Sequence, residues 1–229
     1  MFLTPVEVAA LWLSLKVAAW AVVCSLPPGI FLAWVLSRKN FPGKNLVDGL
    51  VHLPLVLPPV VIGYLLLVGL GRNGVLGRPL YEHLGITIAF TWKGAVVASA
   101  VMAFPLFVRT VRLSFDAVDK GLEMAARTLG AGKWRVFFTI TLPLSTPGIV
   151  AGMVLAFARS LGEFGATITF VSNIPGQTQT LPLALYTMTQ VPNGDVAAMR
   201  LCIIAIVIAM AALMGASYLE KRFLRQMEG

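Results

Sequence analysis

The chain has 229 residues, of which 58% are hydrophobic and only 12% charged, and its mean hydropathy is +0.84. That balance excludes an ordinary soluble domain and requires an apolar surrounding, so membrane lipid is expected around it. The net charge of +8 is spread over the connections between apolar runs rather than gathered on one aromatic-studded face, so no nucleic-acid partner is expected.

Uncharged runs of spanning length cover residues 17–37, 49–71, 136–158 and 201–219, against a requirement of roughly 20 apolar residues for a helix crossing the hydrocarbon core. A shorter run, 94–108, reaches spanning length when Phe90 to Trp92 extend it and Lys93 snorkels from its end. Residues 164–194 carry no charge but contain Asn173, Pro175, Gly176, Gln177, Gln179 and Pro182. That stretch is expected to leave the membrane and partly return, with a sixth, short or re-entrant segment near 181–191. The predicted fold is an all-α polytopic membrane protein of five to six transmembrane helices, in a single domain over 1–229. Glu7 ahead of a long first apolar run argues for a retained helix rather than a signal peptide.

Short basic loops stay on the cytoplasmic side. Arg38, Lys39 and Lys44 flank the first connection, Arg109, Arg112, Lys120, Arg127, Lys133 and Arg135 the central one, and Lys221, Arg222 and Arg225 close the chain. The opposite side holds Arg72, Arg78, Lys93 and Arg200. This bias places the amino terminus outside and the carboxyl terminus in the cytoplasm. Cys24 and Cys202 fall inside apolar runs and are expected to be buried small residues, with no metal site. The two histidines, His52 and His83, lie in separate regions, so no catalytic constellation is assembled and no catalytic residue is expected.

Prolines punctuate the spans. Pro27, Pro28, Pro54, Pro58, Pro59 and Pro105 each remove a backbone donor and are expected to kink their helices. Freed carbonyls are tolerated in a membrane where they face protein or a water-filled cavity, which makes residues 53–64 a candidate lining. In the fourth run, Arg159 and Glu163 are spaced i, i+4 and Thr167 continues the line, with Ser160 beside it. Counted from Pro147, the two charges lie roughly 18 and 24 Å along the helix. They form either a packing ion pair or part of a substrate path. Gly148-x-x-x-Gly152 on the same run is a close-packing signal for a second helix or subunit.

Between the third and fourth runs, over about 116–143, lies a basic insert. It reads Leu122-Glu123-Met124-Ala125-Ala126-Arg127-Thr128-Leu129-Gly130, then nine residues, then Ile140-Thr141-Leu142-Pro143. Val118, Leu122, Ala125, Ala126 and Leu129 approach helical spacing, which predicts a short amphipathic helix ended by Gly130. The alanine pair allows close backbone approach by a partner. Gly132-Lys133 is followed by Trp134, and Arg127 stands where a phosphate-binding loop needs its first glycine, so the chain has no nucleotide-binding motif.

The alanine pair, Gly130 and Ile140-x-Leu142-Pro143 resemble the EAA motif of permease subunits in binding-protein-dependent ABC importers. The family's glutamate usually stands directly before the alanines, whereas here Met124 does and Glu123 is one place earlier. Arg159-Ser160-Leu161-Gly162-Glu163-Phe164-Gly165-Ala166-Thr167, the segment 173–180 and Leu53-Pro54-Leu55-Val56-Leu57-Pro58-Pro59-Val60-Val61 are similar to the oxyanion branch of that family, in its molybdate rather than its sulfate version. The resemblance implies an ATPase-coupling loop of Glu123, Ala125, Ala126, Gly130, Ile140, Leu142 and Pro143, and a pathway touching Arg159, Ser160, Glu163 and Thr167. It implies a homodimer of this subunit, two ABC ATPase subunits carrying ATP and magnesium, no cofactor in this chain, and a periplasmic or surface-tethered molybdate-binding protein. An ion-driven secondary transporter is the competing class, but it usually needs internal repeats and coupling carboxylates.

Overall fold

A computed structural model of the chain describes residues 3–227, with the side chains of 216, 217 and 219–227 outside the description. The basic side chains expected at the carboxyl end, Lys221, Arg222 and Arg225, therefore lie outside the described residues. The described chain is helical, in the order α1 (Pro5–Arg38), α2 (Lys44–Val56), α3 (Pro59–Leu70), α4 (Gly77–Leu84), α5 (Trp92–Ala117), α6 (Lys120–Thr128), α7 (Lys133–Val136), a π-helical turn (Phe137–Thr141), α8 (Leu142–Leu144), α9 (Thr146–Leu161), α10 (Gly165–Val171), α11 (Leu181–Thr189) and α12 (Asp195–Met227).

Among the described residues, three helices are long and apolar enough to cross a membrane: α1, α5 and α12 over Asp195–Gly215. Two further spans are broken. The run expected as one helix over 49–71 turns by 114° between α2 and α3, and the run over 136–158 turns by 67° between α8 and α9. The first break falls at Leu57 and Pro58, because Pro59 has no N–H to continue the ladder and Pro58 restrains the residue before it. By contrast Pro27 and Pro28 lie inside the continuous helix α1, Pro54 inside α2 and Pro105 inside α5.

α1 starts earlier than the uncharged run. Thr4 and Glu7 form a reciprocal capping box, with the Thr4 hydroxyl accepting from the Glu7 N–H at 3.3 Å and Glu7 accepting from the Thr4 N–H at 2.7 Å, and Pro5 opens the helix. The helix then buries one face, through Val17, Ala21, Ala33 and Leu36. α5 is the central element. Its Phe107, Val108, Val111 and Phe115 form one core cluster with Ala33 and Leu36 of α1 and Ile149 and Ala156 of α9. Its Ala95, Ala98 and Met102 form another with Val17, Ile62, Phe170 and Val171.

The Gly148 and Gly152 pair is used within the chain. A Cβ at Gly148 would fall 2.3 Å from the Ser114 Cβ, and one at Gly152 would sit 3.1 Å from Phe107, so both glycines seat α9 against α5. α12 leaves its outer side uncovered, with Met199, Ile203, Ile206, Val207 and Met210 all exposed. Cys24 is likewise exposed and Cys202 half-buried, contrary to the expected burial, because α1 and α12 each bury a single face.

Residues 164–194 fold back rather than simply leaving. α10 packs on α3 and α5, a tight turn passes through Ser172 (φ 65°) and Gly176 (φ 75°), and α11 returns against α1 and α12. Thr178, Gln179 and Thr180 of this turn are buried. The Thr178 hydroxyl accepts from the Ile174 N–H at 3.0 Å and donates to the Ser172 carbonyl at 3.2 Å. The Leu181 N–H donates to the Ser14 hydroxyl at 2.6 Å, tying the turn to α1. Within the stretch expected to return, α11 is a helix of 9 residues, too short to be a full span.

Candidate coupling segment and intramembrane polar site

α6 has a closed stop at each end. The Asp119 carboxylate accepts from the Gly121 N–H at 2.7 Å at its start. At its end Gly130 takes the left-handed conformation at φ 85°. The Gly130 N–H then donates to the Arg127 carbonyl and the Ala131 N–H to the Ala126 carbonyl, each at 3.0 Å. That pair of bonds is a Schellman motif, and it satisfies carbonyls the helix would otherwise leave open.

Glu123 is the buried residue of α6. Its Oε1 accepts from the Arg38 guanidinium, with Nη2 at 2.9 Å and Nε at 3.0 Å, and from the Thr141 hydroxyl at 2.8 Å. Arg38 is the last residue of α1 and Thr141 lies in the π-helical turn, so one carboxylate fixes the short helix to a spanning helix and to the segment that follows it. Around this bracket Trp34 packs against Trp134 and Phe137, with ring centroids 5.7 and 5.4 Å apart.

The amphipathicity expected of α6 is inverted. Leu122, Met124 and Leu129 are exposed while the acid points inward. Ala125 is exposed and Ala126 half-buried, Ile140 and Leu142 are half-buried, and Pro143 is exposed. The displaced glutamate thus occupies the anchored face, and Met124, one helical step of about 100° away, occupies the open one. Each candidate coupling residue sits on or beside this projecting segment.

The second constellation differs from its expected geometry. Arg159 and Glu163 do pair, Nη1 to Oε2 at 2.7 Å, with the Glu163 side chain almost fully buried and that of Arg159 31% exposed. They do not share a continuous helix with Thr167, because α9 ends at Leu161 and α10 starts at Gly165. The break falls at Gly162, Glu163 and Phe164. Glu163 uses its other oxygen to accept the Ala166 N–H at 2.9 Å, so the carboxylate both answers Arg159 and closes the start of α10. Ser160 and Thr167 are buried beside this break, and their hydroxyls have no hydrogen-bond partner among the described residues.

The proline-rich segment meets this site. A Cβ on Gly165 would fall 2.8 Å from Pro59 Cβ, and one on Gly63 would fall 2.6 Å from the Ala166 carbonyl oxygen. α3 and α10 therefore approach at backbone distance, with the start of α10 set against the start of α3. His52 is turned toward its own helix, its Nδ1 2.8 Å from the Asp48 carbonyl.

Sequence reasoning did not pair Glu7 with Arg200, whose Nε donates to Glu7 Oε1 at 3.0 Å and joins the beginnings of α1 and α12. The two residues are 193 positions apart, and only their assignment to the same side of the membrane hinted at the contact. No group of three or more histidine, cysteine or acidic side chains able to hold a metal occurs among the described residues.

Residues 25–225 match the family described as "Binding-protein-dependent transport system inner membrane component". The chain is 63% identical over 221 residues to "Molybdenum transport system permease protein ModB" of Escherichia coli (strain K12), covering 96% of each protein. It is 59% identical over 221 residues to the protein of the same name in Haemophilus influenzae, again covering 96% of each. Among solved structures it is similar to a bacterial ABC transporter involved in the import of the acidic polysaccharide alginate, with a TM-score of 0.77 at 19% identity over 96% of this chain and 81% of that one. Its all-helical fold is that of ABC transporter permeases, and the chain belongs to the family of binding-protein-dependent transport system inner membrane components.

Proposed function

We propose that this chain is the membrane-spanning subunit of an ATP-driven importer for molybdate, and that tungstate follows the same route. The observation that carries the reading is α6, a short helix with closed ends, bracketed through Glu123 to α1 and to the segment leading into α9, with an apolar face left open. Such a helix transmits force as a rigid body, because its own backbone is satisfied and its anchor is an ion pair rather than a loop. Identity of 63% over almost the whole chain to a molybdenum transport permease supports the cargo.

In this reading two copies of the chain assemble, two ATPase subunits carrying ATP and magnesium engage the α6 segments from the cytoplasm, and a periplasmic or surface-tethered binding protein delivers the oxyanion. The amino terminus lies outside and the carboxyl terminus in the cytoplasm. That orientation is supported by the gathering of Arg38, Lys39, Arg127 and Lys133 around one polar hollow beside α6, where the cytoplasmic surface would hold them. Closure of the ATPases draws the two α6 segments together, and the movement passes through Arg38 into α1 and through the π-helical turn into α9. The breaks at Pro58 and Gly162 are where the spans can change angle. Arg159 offers positive charge, and the hydroxyls of Ser160 and Thr167 offer hydrogen bonds, to a dianion passing the α9–α10 break.

The test is reconstitution with the ATPase and binding protein in liposomes. Labelled molybdate is expected to accumulate only when ATP is on the ATPase side, with sulfate competing poorly. Sulfate competing as well as molybdate overturns the cargo, and uptake driven by an ion gradient without ATP overturns the transporter class.

A further inference from the structure

Lys16 of α1 and Arg159 of α9 are basic residues inside helices that belong to candidate membrane spans. Arg159 has Glu163. Lys16 has no carboxylate partner among the described residues. It lies 22 residues before Arg38 on the same helix, about 33 Å along its axis, which is close to the roughly 30 Å thickness of the hydrocarbon core. With Arg38 at one surface, Lys16 therefore sits at the opposite one. Its ammonium lies 3.8 Å from the centroid of the Trp92 ring, a cation–π contact that holds the charge in place without neutralising it.

This ammonium borders a cavity of about 510 Å³ whose lining also includes Lys93, Trp12, Phe90, Thr91 and Gln177. No acidic side chain lines it among the described residues. The cavity is thus a cationic hollow with an amide donor and aromatic walls. Phe90 adopts φ 60°, a left-handed conformation costly for a bulky residue and held where the surrounding structure requires it. At about 30 Å³ for each water of liquid volume, the space admits a tetrahedral anion together with part of its hydration shell. The turn that supplies Gln177 is the one whose Thr178 and Leu181 N–H are fixed internally and to α1, so the wall is built rather than loose.

We propose that this cavity is an anion-reception site at the end of the molecule opposite α6, binding a tetrahedral oxyanion group with Lys16 and Lys93 as counter-charges and the Gln177 amide as a hydrogen-bond donor. The proposal rests on the oxyanion-permease reading for its preferred occupant, free molybdate released at the outer face. A phospholipid phosphate presents the same chemistry from a different source. Two uncompensated lysines in a common hollow attract such a group at long range and hold it by charge-assisted hydrogen bonds.

The experiment uses the complete complex with its ATPase subunits, purified without the binding protein. Binding of labelled molybdate is measured by equilibrium dialysis, and phospholipid retained after detergent washing is counted by mass spectrometry. K16Q is expected to weaken molybdate binding about tenfold, K16R to stay within about twofold of the parent, and K16Q/K93Q to abolish binding, in line with the worth of a hydrogen bond to a charged group. Co-purification of the ATPase checks assembly, and K93Q, at an exposed helix end, gives the same comparison should K16Q fail to assemble. A phosphate-bearing lipid retained by the parent and lost in K16Q, with no molybdate bound by either, keeps the site and assigns it to a headgroup. Molybdate binding and lipid retention that are the same in the parent, K16Q and K16Q/K93Q overturn the proposal. A parent complex that accumulates no molybdate in liposomes, yet loses retained phospholipid on K16Q substitution, refutes the cargo reading and leaves the site standing.

Discussion

Glu123 and Arg38 stand 85 positions apart in the chain and 2.9 Å apart in space, their side chains about nine-tenths buried. The pair converts a surface helix into an extension of a spanning one. Breaking a buried pair leaves the remaining charge uncompensated, at a cost on the order of 3 kcal/mol. E123A is expected to lower the thermal midpoint of the purified complex and reduce molybdate uptake at least tenfold. The charge swap E123R/R38E should recover part of the loss in midpoint. A swap no better than the worse single variant, measured by thermal unfolding in detergent, would show that the ion pair is not what holds α6.

Gly130 tests the docking face separately. A side chain at φ 85° costs about 1 to 2 kcal/mol, too little to unfold the subunit but enough to disturb the end of α6. G130D, and a bulky residue such as leucine at Ala126, should leave membrane abundance near that of the parent while uptake and ATPase co-purification fall severalfold. Undiminished uptake with the ATPase retained would count against the coupling assignment.

Arg159 and Glu163 should not behave as equals. Glu163 also accepts the Ala166 N–H, so E163A removes a helix-closing bond together with the ion pair but leaves an arginine 31% exposed to water, whereas R159A strands a carboxylate only 1% exposed without its counter-charge. The expected order of stability is parent, then E163A, then R159A, with a coupling of about 1 kcal/mol or more in the double-mutant cycle. Additive effects in detergent-solubilised unfolding would show that the two side chains do not interact.

Gly63 reports on the meeting of α3 and α10. A Cβ there would lie 2.6 Å from the Ala166 carbonyl oxygen, a backbone atom with little room to move. G63V is expected to destabilise the complex by about 1 to 3 kcal/mol, lowering its thermal midpoint and its uptake rate together. G69V, on the same helix with open space at its Cβ position, should leave both unchanged. Equal behaviour of the two variants would place α3 and α10 further apart than described.

The sequence alone determined the apolar environment and the positions of the long apolar runs, and it marked out the segment that α6 occupies. Each depends on short-range pattern: uncharged length against bilayer thickness, lysine and arginine bias between runs, and a glycine after a helical period, which α6 and the φ of Gly130 match. It also carried the Arg159–Glu163 pair, because i, i+4 spacing acts locally. Only the tertiary structure decided where α2 meets α3 and where α9 meets α10, since a proline or glycine marks a permitted break but its angle is set by what packs on either side, here Gly63 and Gly165 against α10 and α3. It alone placed Glu123 inward beneath exposed leucines, because helical periodicity ranks faces by hydrophobicity and cannot foresee an arginine arriving from 85 residues earlier. The union of Glu7 with Arg200, and of Lys16 with Trp92, rests on the same cause: contacts between distant segments are fixed by the packing of α1 against its neighbours, and no local pattern records them.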